Sequence, residues 1–251
     1  MGSLDDISFI DYIEENGIRL SNIVNHIDKK DIDEKKAIEQ IQTIADFHSI
    51  ARGYNGLDVK TIKNKIGKLV GQYKIHAKKL KKYADMKKKR SNLTMFEEYF
   101  LNTCESVIER CEKCLGYIND DEYMEIIKRS MRNNDICLGN CYFENLWKNG
   151  NIFLADYSDI AFNMVEIDGV KFIGKLKSNS LDLNFELLID KYIEAENIKS
   201  ESKNLMKALI SYPSEYIKCV ERYERNSDES LEDRFVKRLA KSIRKDGDSI
   251  I

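Results

Sequence analysis

The chain has 251 residues, with 41 Lys and Arg against 43 Asp and Glu, so a formal net charge of −2 excludes a global electrostatic pull toward nucleic acid or a membrane surface. Hydrophobic residues make up 42%, enough to exclude wholesale disorder, and one proline with 33% charged residues suits a largely helical fold. No apolar run reaches the roughly 18 residues of a spanning helix, and the opening MGSLDDISF lacks a signal peptide's basic-then-apolar form, so a cytoplasmic protein is expected.

A short amphipathic segment at Ile7–Ile13 and a looser one around Leu20–Ile27 open the chain, with Gly17 between them. From Asp33, a capping residue, the apolar positions Ala37, Ile38, Ile41, Ile44, Ala45 and His48 keep helical spacing as far as Gly53. His48 on that face reads as a hydrogen-bonded, semi-buried residue rather than a ligand. His26 and His76 complete no metal or triad spacing with it.

Residues 60–90 carry thirteen Lys and Arg against one acid, Asp85, with Ile62, Ile66, Leu69, Val70, Tyr73, Ala77, Leu80 and Ala84 interleaved at helical spacing. A long basic helix is expected there, either a solvated face on a packed helix or a surface for a polyanion or another partner. Nucleic acid is disfavoured because only Tyr73 and Tyr83 interleave as aromatics. Residues 94–118 form a further amphipathic helix whose acids Glu97, Glu98, Glu105, Glu109 and Glu112 can pair with the basic helix in an antiparallel hairpin. A short helix at 120–133 follows. Cys111-x-x-Cys114 could be half a zinc site, but no second pair stands at metal spacing, so the six cysteines read as reduced thiols.

Two apolar runs, Ile136–Leu138 and Ile152–Ala155, flank a turn-rich centre containing Asn149-Gly150, a strong hairpin signal. Asn140, Asn145 and Asp156 stand at the ends of these runs, where a scaffold can aim side chains into a cleft. Beyond them, helices are expected at about 168–177, 181–196, 200–211, 214–226 and 229–245, with Pro213 at a first helical position.

The stretch Leu138-Gly139-Asn140-Cys141-Tyr142-Phe143-Glu144-Asn145, the hairpin, and Asp156-Tyr157-Ser158 together resemble the catalytic and metal loops of aminoglycoside-phosphotransferase-like kinases. The likeness is to the CotS-related spore coat kinase-like family, whose pattern is H-G-D-x-x-x-x-N, a hairpin, then a D-F-D-like motif. Ile41–Tyr54 (IQTIADFHSIARGY) resembles that family's helix after the inter-lobe hinge, and Ala208–Arg244 resembles its C-terminal helices, so the likeness covers about residues 35–245. The resemblance implies a mainly α fold with a small β-hairpin, like the large C-terminal lobe of a kinase. Residues 1–34 would be a short helical segment in place of the small lobe, and 35–251 the helical lobe. No glycine-rich strand–turn–strand and no lysine-bearing strand precede residue 35.

By the same resemblance Asn145 and Asp156 take the two magnesium positions and Asn140 the catalytic base position. Asp168, twelve residues after Asp156, is a structural brace for the loop. An amide has no useful basicity, and losing a general base costs about a hundred- to ten-thousandfold in rate. Leu138 stands where the family has His. Three functions stay open. One is an inactive kinase-fold protein without a cofactor, binding an unknown protein or spore coat components. The second is a small-molecule phosphotransferase using ATP and magnesium through Asn145 and Asp156. The third is a polyanion-binding helical protein using residues 60–90.

Overall fold

The computed structural model describes residues 7–226 and 231–251. The MGSLDD start and the first two positions of the helix expected at 229–245 lie outside those residues. The described residues form ten α-helices, one short 3-10 helix and six short strands, four of the strands consecutive between the fifth and sixth α-helices, so the expected mainly α architecture holds.

Helix α1 (Phe9–Glu15) is capped by Ser8, whose hydroxyl accepts from Asp11 N, and it buries Phe9 and Ile13. The next segment corrects the sequence reading. Residues 18–20 form strand β1 (Ile18–Leu20), and 21–27 are irregular rather than amphipathic helix. The reason is an available sheet edge. β4 (Leu146–Asn149) and β5 (Asn151–Leu154) form the expected hairpin about Gly150, and β1 pairs in parallel with the free side of β5, Ile18 opposite Ile152. Ser21 N extends the pairing to Leu154 O. A second three-stranded sheet, which the sequence reading missed, joins β2 (Lys63–Asn64) and β3 (Ile136–Cys137) to the two sides of β6 (Ala161–Phe162).

Helix α2 (Glu34–Ala51) starts at Asp33, whose carboxylate accepts Lys36 N at 2.8 Å, and buries the face Ala37, Ile41, Ile44, Phe47, His48 and Ala51. With α1, both sheets, α6 (Glu166–Ser178), α7 (Phe185–Glu196) and α8 (Glu201–Ser211) it encloses the larger hydrophobic cluster. Gly169 permits close packing there: a Cβ would fall 2.7 Å from the Tyr192 ring of α7 and 2.8 Å from Met206 of α8. Helix α5 (Asp120–Asn133) leads into β3.

The basic helix is shorter than its lysine pattern. It runs as α3 (Lys68–Lys87), because Lys63–Asn64 is drawn out against β6 and Lys65 N donates to Phe162 O. Helix α4 (Met95–Gly116) packs on it antiparallel. Lys81 meets Glu112 at 2.9 Å, while Lys87, further along α3, meets Glu97 near the start of α4. The expected pairing of basic and acidic helices is therefore present. These two helices with α9 (Ser214–Glu224) and α10 (Glu232–Asp246) enclose a second cluster centred on Phe96, Phe100, Tyr216 and Leu239. Pro213 is the cap residue of α9 rather than its first helical residue, a position that equally needs no N–H donor. Cys111 and Cys114 are buried free thiols in this cluster, and burial pushes them up to about 12 and about 11, away from thiolate metal binding.

Lys87 and Glu97 are both buried, and Glu97 also accepts Thr94 N in the α4 capping box. Glu97→Leu strands the lysine charge and should cost about 3–5 kcal/mol in urea unfolding. Lys87→Met combined with Glu97→Leu should recover most of that loss, since no unpaired buried charge then remains.

Candidate functional site

The loop between β3 and β4, residues 138–145, is fixed on every side by side chains from the helical core. Asp168, fully buried on α6, accepts Leu138 N at 2.7 Å and Gly139 N at 3.0 Å. Lys171, one turn further along, donates to Gly139 O at 3.0 Å. Gly139 has φ +84°, and a Cβ there would stand 3.0 Å from Asp159 Cβ, so both conformation and space call for glycine. From α2, the buried Gln40 donates to Cys141 O at 2.9 Å and Leu146 O at 2.7 Å. Asn25 donates to Phe143 O at 3.1 Å and ties the irregular 21–28 segment to the same loop.

Asp168 is itself held by His48. The imidazole Nε2 lies 3.1 Å from Asp168 Oδ2, and Nδ1 lies 2.6 Å from Glu196 Oε1 on α7. A neutral imidazole has one N–H donor. Two carboxylate partners therefore require both nitrogens to donate, which makes His48 an imidazolium. Burial opposes that charge, but Glu196 and the Asp168 hydrogen bond outweigh it and raise the His48 pKa well above its ordinary 6.5. Burial likewise opposes charge on Asp168, and the His48 hydrogen bond, followed by the His48 charge, prevails and lowers it below 3.8. The sequence reading placed His48 semi-buried. It is 1% exposed, because α7 closes over the face of α2 that bears it.

More charges extend the node. Arg52 donates to Asp135 Oδ1 at 2.7 Å and lies 3.7 Å from Glu196. Arg129 grips Glu166 with two bonds of 2.9 and 2.7 Å, and Ser202 also donates to Glu166. Glu196, Asp135, Arg129 and Glu166 were missed in the sequence reading. Nothing local marks them, since their partners lie up to 148 residues away. Among the described residues His48, Cys137 and Asp168 are close enough to share a metal ion. Their chemistry argues otherwise: the imidazolium has no free lone pair, and burial pushes the Cys137 thiol up to about 12.

The structure brings Asn140, Asn145 and Asp156 to one open cleft of about 390 Å³, rimmed by Ser21, Asn22 and Val24. Asn145 is buried and its amide is tied into the loop by three bonds: Nδ2 donates to Asn140 O and Asp156 O, both at 2.8 Å, and Oδ1 accepts Asp156 N at 2.7 Å. Asp156 is exposed and turns onto its own loop, accepting Ser158 N at 2.8 Å and the Ser158 hydroxyl at 3.0 Å. Asn140 is exposed, with Oδ1 3.4 Å from Tyr142 N. Leu138 is buried against the apolar cluster. As a magnesium set this is poor. One carboxylate remains, and the Asn145 oxygen already closes the turn that brings Asp156 beside it.

This combination of helical core, braced loop and hairpin is that of a phosphotransferase-like kinase fold. The crystal structure of an aminoglycoside phosphotransferase from Alicyclobacillus acidocaldarius superposes with a TM-score of 0.64 at 10% identity, over 84% of this chain and 62% of that one. The chain thus spans less than two thirds of that neighbour. No curated protein matches. The chain belongs to the family described as Spore coat putative kinase YutH, whose model matches residues 20–249.

The raised His48 pKa adds stability that is complete below pH 6.5 and is lost as pH climbs through the folded-state value. The lowered Asp168 pKa adds stability above pH 3.8 that is lost as pH falls through its folded-state value. The stability gap between the native protein and His48→Gln should therefore be widest between the two ordinary values and shrink toward alkaline pH. Urea unfolding across pH measures it; a gap that stays constant means His48 is neutral in the fold.

Proposed function

We propose that this chain is a kinase-fold protein that does not transfer phosphoryl groups and acts as a binding or structural component, associated with the spore coat as its family's description suggests. The observation that carries the reading is the Asn145 amide. All three of its hydrogen bonds close the loop onto Asn140 and Asp156. The position that resembles a metal ligand thus serves as a loop clasp. Asn140 supports the same reading, because an amide can orient an acceptor hydroxyl but cannot take its proton. Phosphoryl transfer rests almost wholly on positioning and charge stabilisation, and this cleft's lining holds two carboxylates, Glu144 and Asp156, and no cationic side chain to meet a phosphate.

One observation favours the phosphotransferase reading: Asp156 and Asn140 remain exposed in a common cleft. The choice is made by titrating Mg²⁺-ATP while following thermal unfolding and ADP release, with Asp156→Ala alongside. The expected outcome is no shift and no turnover in either protein. A rise of several degrees with ADP release, both lost in Asp156→Ala, overturns the proposal in favour of the enzyme.

A further inference from the structure

The cationic helix α3 and the core helix α6 face each other across a second cleft, closed at its far end by the start of α9 and the end of α10. It measures about 380 Å³, within the range of small-ligand sites, and shares no lining residue with the cleft of Asn140 and Asp156. Its charge is unbalanced. Lys171, Lys175 and Lys177 enter it from α6, Lys218 from α9 and Lys245 from α10. Only two carboxylates line it, Glu215 and Asp246.

The partners of these groups define the imbalance. Glu215 is shared by two ammonium groups, Lys218 at 2.8 Å and Lys245 at 3.9 Å. Asp246 is spent on backbone, accepting Glu215 N and Tyr216 N at 2.9 Å each. Lys171 donates to the Gly139 carbonyl, Lys177 donates to the Asp246 carbonyl, and Lys175 lies 5.6 Å from the centre of the Tyr142 ring. Among the described residues these three form no ion pair with a carboxylate. Burial, followed by the charge of nearby Arg110, lowers Lys177 to about 8, and burial raises Asp246 to about 6. Both shifts signal a site short of solvation. His76 also lines the cleft and is already engaged with Glu221 at 3.6 Å.

Beside Gln72, Ser178 and Ser214, the rest of the wall is largely apolar and aromatic. Tyr73 and Tyr212 stack with ring centres 3.9 Å apart, and Leu69, Val170 and Ile210 flank them. An occupant that satisfies both halves carries a compact double negative charge on an apolar or aromatic body. We infer that this cleft is a binding site for a small organic phosphate monoester, its dianionic group held by Lys175, Lys218 and Lys245 and its body laid along the Tyr73–Tyr212 side. Phosphate suits the site better than one carboxylate because it brings two charges and three acceptor oxygens to lysines spread over three helices.

The probe is 1-naphthyl phosphate, titrated into the full chain by calorimetry and thermal unfolding, with inorganic phosphate and 1-naphthol as half-ligands. Lys175 and Lys218 are exposed, and neither touches the Asn140 loop through a hydrogen bond, so Lys175→Ala/Lys218→Ala should fold as the native protein does. The expected result is saturable binding of the naphthyl phosphate, weaker binding of either half-ligand, and an affinity loss of about tenfold or more in the double variant. Equal affinity in the double variant, or a thermal shift reproduced by sodium chloride at matched ionic strength, overturns the proposal, as does no binding at the probe's solubility limit. Mg²⁺-ATP response at Asp156 is read separately, so the two proposals fail independently.

Discussion

One buried imidazolium fixes the loop that gives this fold its functional shape. His48 is shared between the carboxylates of Asp168 and Glu196, which come from helices α6 and α7, while His48 itself belongs to α2. Removing His48 leaves two buried carboxylates without their shared cation, so the three helices are locked to one arrangement. Asp168 can then present its remaining lone pairs to Leu138 N and Gly139 N, and the loop inherits the rigidity of the core.

That rigidity extends to the side chains of the loop. Leu138 points into the apolar cluster, where a polar ring would need a partner of its own, and Asn140 reaches the cleft without basicity. Asn145 keeps its place in the spacing but closes the turn at Asp156 with all of its bonds. The loop backbone is equally well satisfied from outside, by Gln40, Lys171 and Asn25.

The second hydrophobic cluster shows how a strongly charged sequence builds a core. α3 is rich in lysine, yet it lies against α4 through Leu80, Tyr83 and Ala84, and its one buried lysine is matched by Glu97. Exposed pairs such as Lys81 with Glu112 add little stability. Their role is in orientation, because the antiparallel register places acid opposite base along the seam. On its other side α3 presents Leu69, Gln72, Tyr73 and His76 to the cleft, whose lysines come from α6, α9 and α10.

Much of this was legible in the sequence. Apolar spacing of three and four gave the helices, Asp33 gave the start of α2, and Asn149-Gly150 gave the hairpin between β4 and β5. The motif spacing located Asn140, Asn145 and Asp156 near one another, because hairpin geometry is local. The strands at 18–20, 63–64 and 161–162 could not be read, since two or three residues carry no periodicity and their pairing depends on edges supplied from elsewhere in the chain. Charge on His48 was equally hidden. A histidine on an apolar helix face looks alike whether neutral or cationic, and only the approach of Glu196 and Asp168, 148 and 120 residues away, decided which it is. The sequence by itself thus determined the elements and the loop's residue types, because those rest on neighbours within a few positions. Tertiary structure alone decided which side chains remain free for chemistry, because a lone pair is used or spared by groups that meet only after the helices pack.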